Sequence, residues 1–126
     1  MTRHQLSIKR VYEPPDERDG NRILVDRLWP RGVARNRAQI ALWLKDIAPS
    51  NTLRRLFHND PAGWEEFKTA YYAELEQAAA RPAVDELRER LARGPVTLLF
   101  AARDETHNNA VALKEWLEQK QRSTGC

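Results

Sequence analysis

The chain has 126 residues and a mass of 14.6 kDa, room for one domain, and its 41% hydrophobic and 31% charged residues suit a soluble globular protein with one modest core. No apolar run approaches the roughly 20 residues of a membrane span, and the opening MTRHQLSIKR lacks the apolar centre of a signal peptide, so a cytoplasmic protein of bacterial type is expected. Twenty-one basic against 18 acidic residues give a formal charge of +3, and Cys126, the one cysteine, rules out intrachain disulfides and thiolate-rich metal sites.

Leu6 to Val11 alternate apolar and polar residues, the period of a half-buried strand. The turn-rich stretch Glu13 to Asn21 leads into a second strand, Arg22-Ile23-Leu24-Val25-Asp26. Ile40, Leu42 and Leu44 alternate with Ala41, Trp43 and Lys45, a weaker strand signal that a short helix could displace. Ser50 can cap a short helix that turns Leu53, Leu56 and Phe57 inward. Asp60-Pro61 opens a longer helix, in which Trp64, Phe67, Tyr71, Leu75 and Ala78 recur at three-to-four spacing. Pro82 restarts a helix with Val84, Leu87 and Leu91 as its apolar stripe, and Gly94-Pro95 stops it. Val96 to Ala101 are nearly continuously apolar, as in a central strand covered on both faces. A last helix is expected to begin near Thr106, with Ala110, Leu113, Trp116 and Leu117 facing the core. The pattern predicts one α/β domain over residues 1–120, a small and mostly parallel sheet of about four strands flanked by helices. Residues 121–126 are expected to form a disordered tail.

The charge is not spread evenly. Residues 1–60 hold 12 basic and 7 acidic side chains, whereas 61–126 hold 9 and 11. Five arginines (Arg22, Arg27, Arg31, Arg35, Arg37) crowd between positions 22 and 37 against Asp26 alone. The planar fork of arginine suits phosphate and carboxylate.

Two loops could carry chemistry, because ligands of open α/β sheets settle outside the carboxyl ends of the strands. Asp26-Arg27-Leu28-Trp29-Pro30-Arg31-Gly32 follows the second strand. Arg27 and Arg31 could grip an oxyanion and Trp29 could wall a flat ligand. Alternatively this is a structural turn in which Trp29 packs, Arg27 pairs with Asp26 or a remote carboxylate and Arg31 is solvated. Ala102-Arg103-Asp104-Glu105-Thr106-His107-Asn108-Asn109 follows the fourth strand. Here Arg103 and Asn108 would contact an anion near a helix N-terminus, and His107 with Asp104 would be the acid–base pair. The alternative is that Asp104 or Thr106 caps the helix and His107 is merely exposed. A third segment, Phe57 to Pro61, offers His58 as a further ligand contact, although dipole stabilisation at a helix C-terminus explains it as well. His58, Asp60 and His107 lack the spacing of a helical zinc site, and no metal or cofactor is expected. There is no dinucleotide fingerprint, no phosphate-binding P-loop and no G-x-S-x-G, and the three serines lie in a strand, a cap and the tail.

The segment Asp26-Arg27-Leu28-Trp29-Pro30-Arg31-Gly32 resembles the YeaO-like family of uncharacterised bacterial proteins, a branch of the domain-of-unknown-function superfamily 488. The likeness continues through Trp43 to Ser50, Leu53-Arg54, Phe57 to Pro61, Trp64, Phe67, Tyr71 and Leu75. It closes at Leu98 to Asp104 with His107 to Ala110, so it covers nearly the whole chain. The resemblance carries no established activity. Other branches have cysteines near the fourth-strand loop and a Cys-His-Arg sequence after it; Phe100-Ala101-Ala102-Arg103 and Thr106-His107-Asn108 stand here instead, which makes thiol chemistry untenable. A family whose recognisable residues are Arg, Trp, Pro, Asp and His at strand ends implies a site more than a scaffold.

The favoured reading is a pocket for an anionic small molecule, phosphate- or nucleotide-like, with acid–base chemistry left open. Nucleic-acid binding through Arg22 to Arg37 is a second reading, disfavoured by modest net charge and by the glutamates on the helix after Pro61. A docking module for an acidic partner protein is a third. No membrane is involved in any of them, and the oligomeric state is left open.

Overall fold

The computed structural model describes residues 5–57 and 61–124; His58, Asn59, Asp60 and Cys126 lie outside the described residues. Four strands, β1 (Leu6–Arg10), β2 (Asn21–Leu24), β3 (Leu42–Trp43) and β4 (Val96–Phe100), form one sheet in the order β1-β4-β2-β3. Every pairing is parallel, with Leu6 opposite Val96, Asn21 opposite Val96 and Ile23 opposite Leu42. β4 is central and buried along its whole length, which is why it reads as an unbroken apolar run.

Period-two alternation divides the sheet into two unequal faces. Leu6, Ile23, Val25, Val96, Leu98 and Phe100 face a layer built from α2 (Asn51–Leu56), α3 (Trp64–Leu75), α4 (Arg81–Arg93) and α5 (Asn109–Thr124). The alternate residues Leu24 and Leu99 face only Val11, Ala38 and Ile40, with Trp29, Val33 and Trp43 packed around them. The second face is thus covered by the chain from Trp29 to Ile40, which includes one helical turn, α1 (Arg35–Ala38).

Several sequence signals are met directly. Ser50 caps α2, its hydroxyl accepting from the Leu53 N–H at 3.1 Å. Pro82 sits in the first turn of α4, where a missing N–H costs nothing, and Val84, Leu87 and Leu91 are buried. The differences have local causes. α3 ends at Leu75, so Ala78 is exposed in a 3-10 turn and Ala80 takes the buried place. α2 turns only Leu53 fully inward; Phe57 is half-buried and Leu56 exposed. α5 starts at Asn109 rather than at Thr106, because Asn108 accepts from the Val111 N–H at 2.9 Å and so becomes the cap. α5 then continues to Thr124. α1 has no apolar periodicity to announce it, and it closes on Gln39 in the left-handed region at φ 52°.

The second face also buries charge. Asp19 accepts from Arg22 Nη1 at 2.6 Å and from Lys9 Nζ at 3.1 and 3.2 Å. Arg22, only 2% exposed, also donates to the Ala38 carbonyl at 2.7 Å, and Thr97 donates to the Asp19 carbonyl at 2.8 Å. Arg22 Nη2 is buried without a partner among the described residues. Gly20 closes this corner at φ 64°: the Asn21 N–H reaches the Pro95 carbonyl at 2.9 Å, and a Cβ on Gly20 would lie 2.2 Å from that oxygen.

Candidate functional site

The sheet is parallel, so the connections that leave β2 and β4 emerge at the same edge, side by side. Asp26 ties them together. Its Oδ2 accepts from the Ala101 N–H at 2.9 Å and its Oδ1 from Asn109 Nδ2 at 3.1 Å, while Asn109 Nδ2 also donates to the Val25 carbonyl at 2.9 Å. Trp43 Nε1 donates to the Asp26 carbonyl at 2.7 Å, which adds β3 to the junction. Burial pushes the Asp26 carboxyl up from its ordinary value, against the opposing pull of Asn109, the Ala101 N–H and the Arg54 charge. The sequence offers Asp26 only as a partner for Arg27. The signal that could have found it is an acidic residue closing the apolar run that starts at Ile23, alone among arginines.

The loop after β2 is held by its own side chains. Arg27 Nε and Nη2 donate to the Pro49 and Ala48 carbonyls, both at 3.1 Å, fixing the approach to α2. Trp29 stands edge-on to Trp43 at 5.3 Å and donates its indole N–H to the Val33 carbonyl at 2.8 Å. The Val33 N–H turns back to the Pro30 carbonyl at 3.4 Å, with Gly32 at φ 76°, the position where a type II turn needs a positive φ. Arg31 is exposed, and its side chain has no partner among the described residues; its carbonyl accepts from the Tyr12 hydroxyl at 3.1 Å.

The loop after β4 is shaped by Asp104. Its Oδ1 accepts from the Thr106 N–H, the Thr106 hydroxyl and the His107 N–H at 2.9, 2.9 and 3.0 Å. Those bonds, led by the Thr106 N–H, hold its carboxyl below the usual range. Thr106 Oγ1 also lies 2.8 Å from His107 Nδ1. With the Thr106 hydroxyl donating to Asp104, its oxygen is left to accept from Nδ1–H, the tautomer in which Nε2 is the acceptor. His107 is exposed and stands edge-on to Trp64 at 5.0 Å. Asn108 is buried, donating to the Asp104 carbonyl at 2.8 Å while it caps α5. Arg103 is exposed without a partner among the described residues.

The structure therefore groups Asp104, His107 and Asn108 in one turn and joins the start of α5 to Asp26. Trp29 and Arg31 stand on the second face of the sheet with Tyr12, whereas His107 packs on the helical side against Trp64. His58 lies outside the described residues. Of the five crowded arginines, Arg22 is buried and Arg27 is committed to carbonyls, which leaves Arg31, Arg35 and Arg37 on the surface.

A cleft of about 380 Å³ opens at the opposite edge, lined by Gly20, Asn21, Arg90, Arg93, Gly94 and Pro95. Its arginines are taken: Arg90 bonds Glu86 and Asn21, both at 2.8 Å, and Arg93 bonds Glu89. The C-terminus of α4 also presents the negative end of its dipole there. Among the described residues no cluster of three His, Cys, Asp or Glu could hold a metal, and no helix is long and apolar enough to cross a membrane.

The fold and this edge define a small single-domain α/β protein with a four-stranded parallel sheet, helices mainly on one face, and strand-end loops locked by their own polar side chains. The chain belongs to the family described as the inactive DUF488-N3 subclade, whose model matches residues 5–125. It is 41% identical over 115 residues to "Uncharacterized protein YeaO" of Escherichia coli (strain K12), covering 89% of this chain and 96% of the relative. It is 38% identical over 113 residues to "Uncharacterized protein Rv3073c" of Mycobacterium tuberculosis (strain ATCC 25618 / H37Rv), covering 90% and 93%. A Mycobacterium bovis relative matches to the same extent. No solved structure matches the chain.

Proposed function

We propose that this protein binds an anionic small molecule, phosphate- or nucleotide-like, at the carboxyl edge of its sheet and does not turn it over. The observation that carries the reading is the division of labour among the loop cations. Arg27 is spent on backbone carbonyls, whereas Arg103 and Arg31 are exposed and uncommitted on the two loops that flank Asp26. Asp104 keeps an oxygen on its own loop's N–H groups, which softens the like-charge repulsion an approaching anion meets. Arg103 makes the charge contact beside His107, and Arg31, on the second face, adds one for a ligand that reaches over the strand ends. His107 Nε2 accepts a hydrogen bond from a ligand hydroxyl, so a molecule bearing both an oxyanion and a hydroxyl fits best.

Binding without turnover agrees with a family described as inactive and with the fate of the edge's one serine. The Ser50 hydroxyl is taken up structurally, donating to Glu74 at 2.6 Å and accepting from the Leu53 N–H as the cap of α2. The nucleic-acid reading is weakened by the inward placement of Arg22 and Arg27, since each lost phosphate contact lowers affinity. A cytoplasmic setting, where phosphorylated metabolites abound, is part of the proposal.

Isothermal titration with inorganic phosphate and with a nucleoside monophosphate tests it. Arg103→Ala and Arg31→Ala should each weaken binding about tenfold, the loss expected for one charge-assisted contact, and Arg37→Ala should not. Affinities equal to wild type in both edge variants would overturn the proposal.

A further inference from the structure

We propose that the ligand of this edge is a nucleotide, held by its base as well as by its phosphate, and that Tyr12 is the platform on which the base stacks. Tyr12 follows β1 and stays 48% exposed, yet its ring is tethered on two sides. The Arg10 guanidinium lies over it, 5.1 Å from the centroid, and its hydroxyl donates to the Arg31 carbonyl at 3.1 Å. Arg10 is fixed in turn, with Nε donating to the Ala102 carbonyl at 3.0 Å and Nη2 to the Ala101 carbonyl at 3.1 Å. The Glu13 N–H closes the turn on the Arg10 carbonyl at 3.0 Å. A ring held in this way loses little freedom when a ligand covers it, which separates a platform from an ordinary exposed side chain. Leu28 and Leu56, also large, apolar and exposed, are aliphatic and offer no flat face.

The position of the ring selects the chemistry. Tyr12 bridges the two loops that carry the uncommitted cations. Its hydroxyl meets the backbone of Arg31, and the guanidinium on its ring meets the carbonyl of Ala102, the residue before Arg103. A ligand that spans Arg31 and Arg103 therefore passes beside this ring. With Arg10 on one face, the exposure that remains belongs to the opposite face and the ring edge. A cation is a poor occupant there, because Arg10 already engages the ring's π-electrons and Arg31 and Arg103 repel it. A flat, neutral ring system joined to an oxyanion suits all of these groups, since stacking uses the π-face and the arginines take the charge. Glu13, whose Oε2 accepts from the Arg10 N–H at 3.2 Å, sets a carboxylate beside the turn and so directs the phosphate away from it, toward Arg31 and Arg103. A phosphorylated sugar would satisfy the arginines and leave the platform unused.

The phosphate half of this inference rests on the anion reading above; the base half does not, and the test keeps the two apart. Calorimetric titration with adenosine monophosphate and with ribose phosphate, which differ in the base, should show a preference of about tenfold or more for the nucleotide, the worth of one stacked base. Tyr12→Leu should erase that preference by weakening the nucleotide while ribose phosphate keeps its wild-type affinity. Tyr12→Phe, which keeps the ring under Arg10 and gives up the bond to the Arg31 carbonyl, should retain most of it. Plain adenosine reports on the platform without any anion: in NMR its addition should shift the ring signals of Tyr12 and leave those of fully buried Tyr71 in place. Ribose phosphate that binds as tightly as the nucleotide, a nucleotide preference that survives Tyr12→Leu, or adenosine that leaves the Tyr12 ring unmoved would overturn the platform while the anion reading stands. Adenosine shifts at Tyr12 without any binding of inorganic phosphate would uphold the platform and remove the anion reading instead.

Discussion

Asp19, buried before β2, and Asp26, half-buried after it, are two carboxylates with opposite electrostatic fates. For Asp19, burial alone would raise the carboxyl, but hydrogen bonds from Lys9 and Arg22 outweigh it and hold the group below its ordinary value. Asp19 therefore contributes stability that is present above the unfolded carboxylate value and is lost as pH falls through the lower folded one. Asp26 has the reverse sign: its contribution is fully present below the unfolded value and is lost as pH rises through the higher folded one. Replacing Asp19 by Ala strands buried Arg22 and half-buried Lys9 without their carboxylate and should cost about 3–5 kcal/mol in urea unfolding at neutral pH. The acid limb of the stability profile should flatten in the same variant. A loss under about 1 kcal/mol would mean that Lys9 and Arg22 find other partners. Gly20 is as constrained by shape as Asp19 is by charge. Gly20→Ala places a Cβ against the Pro95 carbonyl at a positive φ and should cost about 2–4 kcal/mol in the same measurement.

Among the elements, what was legible in the sequence is what rests on periodicity and caps. β4, α4 and the apolar stripe of α5 could be read because their burial repeats along the chain: Leu87 and Leu91 lie one turn apart, and Leu113 and Leu117 do too. β3 reduces to Leu42–Trp43 because only those residues pair with β2 at the edge of the sheet. α1 owes its place to the second face, and no local pattern encodes it. The start of α5 was misplaced for a more instructive reason. Thr106 and Asn108 both have capping side chains, but Thr106 is drawn into the Asp104 turn, which leaves Asn108 as the cap. Of the candidate site, the two loops and their residues were legible, whereas the commitment of Arg27 to the Ala48 and Pro49 carbonyls was not, because its partners are backbone atoms 21 and 22 residues away. Asn108→Ala should accordingly lower stability by about 1–2 kcal/mol, whereas Thr106→Ala should stay within about 0.5 kcal/mol. Equal effects in thermal unfolding would place the start of the helix earlier. The six-residue α2 cannot stand alone either; Ser50 holds it to α3 through Glu74, at 2.9 Å from the backbone and 2.6 Å from the hydroxyl.

The whole molecule is lopsided. Among the described residues, 21 buried apolar side chains gather on the helical face of the sheet and 5 on the other. The second face compensates with specific bonds instead of bulk: the Trp29–Trp43 edge contact, the indole bond to Val33, and Arg22 reaching across to the Ala38 carbonyl. Such a cover has little apolar area to lose, so it should open in a local event while the helical layer stays closed. The amides that report this opening are those of Ala38, Gln39 and Ile40, bonded within the cover to Ala34, Asn36 and Arg35. The reference amides are those of the central strand β4, whose exchange requires global unfolding. Native-state hydrogen exchange should show the cover exchanging at least about a hundredfold faster than β4, with a rate that barely responds to low urea, the signature of an opening that exposes little surface. The same experiment separates the two faces functionally. Arg31 rides on the cover, and Arg103 rides on the loop between β4 and α5, so a ligand held by both should slow exchange in the cover as it binds, while one held by Arg103 alone should not. Protection of Ala38 to Ile40 equal to that of β4, with the same urea response, would show instead that the sheet's two faces unfold as one unit and that the thin cover is no weaker than the helices opposite it.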